Sequence, residues 1–418
     1  MAQDQPAKGL ATAPKASENG NADTNLAQRP AVKERRGSAI LNFLSSLIGS
    51  KNPLAHAADP QKNTVWLLDN TAYQPVSDAP NRGNKAQSWQ AEFVVCIFET
   101  EGRKDVGKLV AAIADHIGID GEYGRDDEET RKRIARRVQP FLDQVSPART
   151  VKLEVIINGV KRTHSLGGSD RNGIISQIVD LGASGVTDGT VIHPRVHNFK
   201  GPTATRETHF AAPKGWMVIS DIDDTIKRTM TLEPTGILRT TFAEEPVPIA
   251  GMPEFYRHVQ DQLNPTWFYL SASPYNLYPF LHQFLHENYL PGTLILRDYS
   301  WMDISGLIKS FTENTQEYKV DRMEKIRSWF PQRKVLCIGD STQKDPEAYA
   351  EMYNRYPEWI HAIMIRKVTD VEHMEDKNKP ERFEEAFKNV PASVWTLFED
   401  AEELYAFVDG LGMEDRTV

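Results

Sequence analysis

The sequence has few cysteines, no long apolar run and no excess of basic charge. Its 418 residues include only two cysteines, Cys96 and Cys337, each in an apolar, strand-like run. That excludes a thiolate metal cluster and fits a reducing compartment. No run approaches the roughly 20 apolar residues that span a bilayer, and residues 1–30 lack the apolar core of a cleavable signal peptide. The net charge is −9 without an offsetting basic motif, so we expect no nucleic-acid partner.

Residues 1–60 differ in composition from the rest of the chain. Residues 1–36 contain almost no large apolar side chains, so we predict that they are disordered. A short amphipathic segment follows at 38–48, behind the basic pair at 35–36, with apolar residues at helical spacing. Two interpretations remain open, an interfacial membrane helix or a helix docked on the folded body.

Residues 61–210 have the texture of a β-rich domain. Short runs alternate between apolar and polar residues and are separated by turn signals, and a charged helical stretch at 104–145 interrupts them. We predict a sandwich-like accessory domain with a helical insertion. His193 and His197 have the spacing of metal ligands on a helix, but Pro194 disfavours a helix there, so we interpret them as loop histidines.

Residues 211–418 alternate between short apolar strands and amphipathic helices, which predicts an α/β fold with a doubly wound parallel sheet. The segment from Val394 to Val408 is predicted to be a helix that packs back on this domain, with a partner-binding helix as the alternative. The predicted strands are 216–220, 266–271, 293–297, 334–339 and 360–365, and the predicted helices are 253–263, 276–288, 318–330, 345–355 and 380–389.

The first of these strands runs directly into a group of carboxylates. Four apolar residues from Trp216 are followed at once by polar ones. On an extended chain Asp221, Asp223 and Thr225 point to one side. Crowded ionised carboxylates repel one another unless a cation or a raised pKa relieves them, so this strand end is a candidate site. Asp224 is interpreted as a solvated or hydrogen-bonding neighbour.

Two other predicted strands also end in polar side chains. Ser271 and then Ser273 follow the second strand, and the fourth ends in Gly339-Asp340-Ser341 with Asp345 shortly after. Lys319 begins the helix before that fourth strand. Sites in open parallel sheets form at the carboxyl ends of the strands, and carboxylate oxygens suit Mg²⁺. A calcium-binding helix-loop-helix is excluded because Ile226 and Leu232 stand where that loop needs Gly and Glu.

These motifs, in this order, resemble the four motifs of the haloacid dehalogenase (HAD) superfamily in its phosphatase branch. The resemblance implies a HAD-like sheet with a minimal cap, Asp221 as nucleophile, and Asp223 as general acid and base. It implies that Ser271 and Lys319 bind the substrate phosphate, with Ser273 able to share that role. Thr225 either joins them or caps the following turn. A Mg²⁺ ion would be held by Asp221, Asp340, the main-chain carbonyl of Asp223 and, directly or through water, Asp345.

Three stretches narrow the resemblance to one family, namely Ser220 to Lys227, Tyr269 to Pro274 and Ile338 to Glu347. They are similar to the catalytic domain of the fungal actin-patch phosphatidate phosphatases, over about residues 210–370. The resemblance implies release of phosphate from phosphatidate at a membrane surface to give diacylglycerol. It also implies a cytoplasmic, peripherally membrane-associated protein with actin-patch or endocytic partners.

Two other functions remain open. The chain could be a HAD phosphatase for another phosphomonoester, soluble or on a protein, or a lipid-phosphate-binding adaptor of membrane trafficking. The intact set of Asp221, Asp223, Lys319 and Asp340 disfavours the adaptor, which does not need all four. The short segment 226–270 leaves little room for a cap and favours a phosphate presented by a bulky surface.

Overall fold

The computed structural model describes residues 55–76, 88–100, 106–118, 124–182, 185–298, 308–309 and 313–416. The predicted disorder at 1–36 and the amphipathic segment at 38–48 lie outside these residues. Within them, no helix has the length and apolar character needed to cross a membrane.

Two β-sheets that share an apolar core fill the first part of the described chain. In the first sheet β5 pairs with β6 on one edge and with β1 and β9 on the other, and in the second β4 is flanked by β2, β3 and β7. The first sheet holds β1 (His56–Ala57), β5 (Arg149–Ile157), β6 (Val160–Leu166) and β9 (Arg195–Val196); the second holds β2 (Asn63–Leu67), β3 (Asn70–Tyr73), β4 (Trp89–Glu99), β7 (Ile174–Gly182), β8 (Val191–Ile192) and β10 (Thr208–Phe210).

The alternation along β5 explains how the two sheets pack. Val151, Leu153, Val155 and Ile157 are buried in the shared core, while Lys152 and Ile156 between them are exposed and Glu154 is covered by other side chains on the opposite face. Asn158 and Gly159 both have positive φ, 49° and 76°, which suits a two-residue hairpin turn between β5 and β6. The hairpin turn predicted at this position is confirmed.

The helical insertion packs on the second part of the chain rather than on the core of the two sheets. It consists of α1 (Val106–His116) and α2 (Gly124–Leu142). Their buried residues, such as Ile113 and Val138, belong to one apolar cluster with Ile237 and Phe242. The core is therefore continuous across the predicted boundary at residue 210.

The second part of the chain is built on a six-stranded sheet in which all strands are parallel, which confirms the predicted α/β class. Its order is β13-β12-β11-β14-β15-β16. The strands are β11 (Trp216–Asp221), β12 (Thr266–Pro274), β13 (Thr293–Arg297), β14 (Lys334–Asp340), β15 (Ile360–Arg366) and β16 (Trp395–Phe398); the helices are α3 (Pro234–Leu238), α4 (Met252–Leu263), α5 (Tyr278–Asn288), α6 (Thr315–Trp329), α7 (Asp345–Arg355), α8 (Pro380–Phe387) and α9 (Tyr405–Arg416).

Helices cover both faces of this sheet. Along β11, Val218 packs into the cluster that contains α4 and α5, whereas Met217 and Ile219 pack into the cluster that contains α6 and α7. Because both faces are buried, the strands are continuous apolar runs rather than alternating ones. For this reason the strand boundaries predicted from the sequence lie close to the observed ones.

One prediction in this region is wrong. The segment from Val394 to Val408 is not a single helix, because Trp395–Phe398 forms β16 and pairs with β15 at the edge of the sheet. A 3-10 helix follows at Ala401–Leu404, and the α-helix begins at Tyr405. A four-residue apolar run fits a strand and a helix equally well, and here the open edge of β15 decided the outcome.

Candidate active site

The strand order brings the two central carboxylate motifs together. The order reverses between β11 and β14, which are neighbours, so their carboxyl ends form a crevice at the switch point. Ser220 pairs with Ile338 in this ladder. Asp221 and Asp340 therefore leave the sheet side by side.

Three carboxylates cluster in the crevice. Oxygen atoms of Asp221, Asp340 and Asp345 all lie within 4.8 Å of one another, and all three side chains are buried. The Thr225 hydroxyl lies 3.1 Å from Asp221 Oδ2 and 3.1 Å from Asp340 Oδ2. Thr225 thus joins the carboxylates, and its predicted role in phosphate binding stays a prediction.

Among the described residues, one buried ammonium group donates to this cluster. Lys319 Nζ, on α6, donates to Asp221 Oδ1 at 2.6 Å and to Asp345 Oδ1. Burial alone would lower the pKa of Lys319, but the carboxylates of Asp221 and Asp345 raise it overall. The lysine is therefore charged.

One ammonium does not balance three carboxylates. Burial raises the pKa of Asp221 well above its usual range, with Lys319 opposing and the other carboxylates adding to the rise. Burial and Asp345 raise the pKa of Asp340 to about 6, although Thr342 N donates to Asp340 Oδ1 at 2.6 Å. When all are ionised, two negative charges remain, which fits a divalent cation held by oxygen ligands.

Gly339 allows Asp345 to lie against the end of β14. Asp345 Oδ2 accepts a hydrogen bond from Asp340 N at 3.1 Å, which draws the start of α7 against the end of β14. A Cβ atom at residue 339 would lie 2.5 Å from Asp345 Oδ2 and 2.7 Å from its Cβ. Only glycine permits this approach.

Asp223 belongs to a second network of buried polar groups. Its Oδ1 accepts from Thr229 Oγ1 at 2.8 Å, and its Oδ2 accepts from Ser271 Oγ at 2.6 Å and Ser273 Oγ at 3.3 Å. Both serines thus contact the same carboxylate oxygen. Their predicted phosphate contacts and the metal role of the Asp223 carbonyl stay predictions.

Lys227, which the sequence analysis does not single out, completes this network. The side chain is 1% exposed, and Nζ lies 2.6 Å from Thr229 Oγ1 and 3.7 Å from Asp223 Oδ1. Burial lowers the pKa of Lys227, while Asp223 and Asp224 oppose that change. The i,i+4 spacing of Asp223 and Lys227 was the available signal.

Asp224 shapes the loop that carries Thr229. It has a φ of 64°, and its carboxylate accepts hydrogen bonds from the main-chain N–H groups of Thr229, Met230 and Thr231 at 2.7–2.8 Å. The side chain is 1% exposed. Of the two interpretations of Asp224, the hydrogen-bonding neighbour is confirmed and the solvated one is wrong.

The two histidines that have metal-ligand spacing lie in the loops on either side of β9. His197 Nδ1 lies 2.6 Å from Glu154 Oε1 on the sheet of β1, β5, β6 and β9, which we call the accessory sheet, and His193 is exposed. Among the described residues, the group of Asp221, Asp340 and Asp345 is the one that brings three such ligands together. The interpretation as loop histidines holds.

Comparison with known proteins agrees with this geometry. Residues 216–367 match the family model of the phosphatidate phosphatase APP1 catalytic domain. The chain is 33% identical over 165 residues to phosphatidate phosphatase APP1 of Saccharomyces cerevisiae, covering 39% of this chain and 27% of that protein. It is 32% identical over 159 residues to an uncharacterized protein of Schizosaccharomyces pombe, covering 37% and 25%.

The matched family segment begins at β11 and ends just after β15, so it contains all of the strand ends that form the crevice. The chain spans about a quarter of the length of the curated relatives that it matches. The similarity therefore concerns this one domain. The segment from residue 216 to residue 367 is similar to the catalytic domains of APP1-type phosphatidate phosphatases.

Proposed function

We propose that this chain is a Mg²⁺-dependent phosphatidate phosphatase with a HAD-like catalytic domain. The observation that carries the proposal is the convergence of Asp221, Asp340 and Asp345 with the ammonium of Lys319 at the switch point of the parallel sheet. The similarity to the yeast phosphatidate phosphatase supports phosphatidate as the substrate.

Asp221 is the nucleophile in this proposal. A carboxylate oxygen attacks phosphorus, the bond from phosphorus to the glycerol oxygen breaks, and an aspartyl phosphate forms. Lys319 already touches Asp221 Oδ1, so its charge lies where the phosphoryl oxygens gather negative charge. Water then attacks the aspartyl phosphate and releases inorganic phosphate.

Asp223 moves the protons in both steps. It gives a proton to the leaving glycerol oxygen to make diacylglycerol, and it takes a proton from the attacking water. Ser271 and Ser273 hold its Oδ2, and either hydroxyl can turn from Asp223 toward a phosphoryl oxygen. This arrangement accommodates the predicted phosphate contact of Ser271.

The carboxylates of Asp221, Asp340 and Asp345, with the main-chain carbonyl of Asp223, would hold the Mg²⁺ ion. The net negative charge of the cluster supports this assignment. Bound there, the ion neutralises charge on the phosphate and lets an anionic nucleophile approach it.

Membrane association is part of the proposal, because phosphatidate lies in a bilayer. We infer a peripheral, cytoplasmic protein that meets its substrate at the membrane surface. Contact with actin-patch or endocytic proteins is a further element, and it rests on the family resemblance alone.

Phosphate release with Mg²⁺ or with a chelator tests the proposal. The substrates are phosphatidate in mixed micelles and a water-soluble phosphomonoester, and the proteins are wild type, Asp221→Asn and the control Asp261→Asn, whose carboxylate is exposed on α4. We expect Mg²⁺-dependent release from phosphatidate that falls at least about 1,000-fold in Asp221→Asn alone.

Three other outcomes would contradict the proposal in different ways. Turnover of the soluble substrate alone would overturn the lipid assignment and keep the chemistry. Release that persists in Asp221→Asn would overturn the nucleophile. Silence on both substrates in wild type would favour the trafficking adaptor.

A further inference from the structure

The hairpin of β5 and β6 carries exposed aliphatic side chains at its tip. Ile156 is 51% exposed and Val160 is 57% exposed, on either side of the Asn158-Gly159 turn. They lie on opposite faces of the hairpin, because Val160 pairs with the buried Ile157 whereas Ile156 pairs with Lys161. Both are therefore covered together only where the turn itself enters an apolar phase. We call residues 156–160 the hairpin tip.

The sheet behind this tip is basic in an acidic protein. Residues 149–166 and 191–200 contain six Lys and Arg and a single Glu, although the whole chain carries a net charge of −9. Lys152, Lys161 and Arg195 are exposed, and they form what we call the basic face. Ile156 pairs across the ladder with Lys161, so the basic face is continuous with the hairpin tip.

The one carboxylate of this face is already shared. Glu154 is 2% exposed, and its oxygens lie 2.6 Å from Lys161 Nζ and 2.6 Å from Arg195 Nε. Lys152 has no carboxylate partner within the described residues. A single buried carboxylate cannot neutralise this set, so the face attracts anions.

We propose that the basic face and the hairpin tip dock on an anionic lipid surface. Each cation near such a surface strengthens binding roughly fivefold, and insertion of an aliphatic side chain adds a similar factor. A protein partner is less suited, because a stable protein interface buries about 800 Å² on each side, more than a two-residue turn offers. The purpose of this docking rests on the proposed function, since it brings the enzyme to a lipid substrate.

Sedimentation of the full chain with vesicles tests the docking. The vesicles are phosphatidylcholine alone or phosphatidylcholine with phosphatidylserine. The variants are Ile156→Ser combined with Val160→Ser, and Lys152→Glu. Ile178→Ser is the matched control, because Ile178 is also 51% exposed but lies on β7 beside Asp180.

We expect wild type and Ile178→Ser to bind only the vesicles that contain phosphatidylserine. The double variant should bind these vesicles at least tenfold more weakly than wild type, and Lys152→Glu should bind them about fivefold more weakly or worse. Equal binding by all proteins, or no binding by wild type, would overturn the proposal. Turnover of a water-soluble phosphomonoester should be the same in all of them, so a failure of the proposed function is seen separately, as no turnover in wild type.

A different observation concerns the proton-transfer group. Lys227 and Thr229 meet Oδ1 of Asp223, and the two serine hydroxyls meet Oδ2. Serine hydroxyls can rotate. The main chain of Thr229 is fixed by Thr240, which donates to Thr229 O at 2.9 Å, and by Asp224, which accepts from its N–H at 2.8 Å, and its hydroxyl is held by Lys227 Nζ at 2.6 Å. The two oxygens of Asp223 are therefore held with unequal rigidity.

We infer that Lys227 and Thr229 are positioning residues that fix Oδ1 of Asp223, so that Oδ2 exchanges the proton with the leaving oxygen. This inference rests on the proposed function. Loss of Lys227 should therefore slow only the step in which Asp223 protonates the leaving group. An alkyl phosphate such as phosphatidate needs protonation of its poor leaving group, whereas 4-nitrophenyl phosphate needs little.

Lys227→Met and Thr229→Val, compared on these two substrates, test the inference. We expect kcat for phosphatidate to fall about 100-fold more than kcat for 4-nitrophenyl phosphate in both variants. Thr240→Val is the control, since it loosens the same loop without touching Asp223, and it should affect both substrates equally. A loss of equal size on both substrates in Lys227→Met and Thr229→Val would overturn the inference, and absence of turnover in wild type would instead contradict the proposed function.

Discussion

Two regions of the molecule bury carboxylates, and they solve the electrostatic problem in opposite ways. On the accessory sheet, Glu154 is ringed by Lys161, Arg195 and His197. In the crevice of the parallel sheet, three aspartates face the one ammonium of Lys319. The first region has more cations than carboxylates, and the second has fewer.

The pKa values follow this difference. Hydrogen bonds from Lys161 and Arg195 lower the pKa of Glu154 to about 2, whereas burial and Asp345 raise the pKa of Asp340 to about 6. A carboxylate that its neighbours already stabilise has a structural role. A group of carboxylates that lacks compensation is costly to the fold and persists where a cation or substrate compensates it. We therefore interpret Glu154 as a structural carboxylate, and the crevice carboxylates are the ones that we propose to be functional.

The largest effect should come from removing one charge in the crevice. We expect Asp340→Asn to lower phosphate release at least about 100-fold, because it replaces the charged carboxylate of a proposed metal ligand by a neutral amide. In a chelator, its unfolding temperature should equal or exceed that of wild type, since a repelling carboxylate is gone. A thermal melt beside the activity assay checks both. Lower stability together with lower activity would mean that the charge of Asp340 is already compensated by its neighbours, as that of Glu154 is.

Gly339→Ala should have a smaller effect on turnover and a clear one on stability. The added methyl group would push Asp345 away from Asp340 N and Lys319. Overpacking of this kind costs about 1–3 kcal/mol, and we expect an activity loss of the order of tenfold to 100-fold from the displaced carboxylate. Urea unfolding and phosphate release measure the two effects. If the variant had the stability and activity of wild type, Asp345 would be free to move, which would contradict the tight packing at the end of β14.

The elements that the sequence predicted well are those in which local pattern and tertiary context agree. The central strands are apolar throughout because both sheet faces are buried, and the residues of the crevice follow them directly. β16 was missed because its edge pairing with β15 is a long-range contact that four apolar residues do not reveal. Lys227 was missed because its i,i+4 spacing from Asp223 does not by itself indicate that the ammonium group turns inward to Thr229. The side-chain rotamer that points the Ser271 hydroxyl at Asp223 likewise cannot be predicted from any sequence pattern.

Divalent ions should stabilise the crevice and leave the accessory sheet unaffected. Ligand that binds only the folded state adds about 2.7 kcal/mol at a concentration 100 times its Kd. We expect the unfolding temperature of wild type to rise with Mg²⁺ concentration and then level off, as a thermal shift assay measures. The rise should vanish in Asp340→Asn and persist in Glu154→Gln. A rise that is the same in all three proteins would place the ion outside the crevice.

The smallest effect should come from Glu154→Gln, which leaves the crevice intact. Its lowered pKa means that the ionised carboxylate stabilises the fold above the ordinary value of 4.5, and that this stabilisation is lost as the pH falls toward 2. We therefore expect a lower unfolding temperature than wild type at pH 7, a difference that shrinks below pH 4.5, and turnover of a soluble phosphomonoester within about twofold of wild type. Thermal melts across this pH range measure the difference. A gap between the two proteins that stayed constant down to pH 2 would mean that packing at Glu154, rather than its charge, stabilises the sheet.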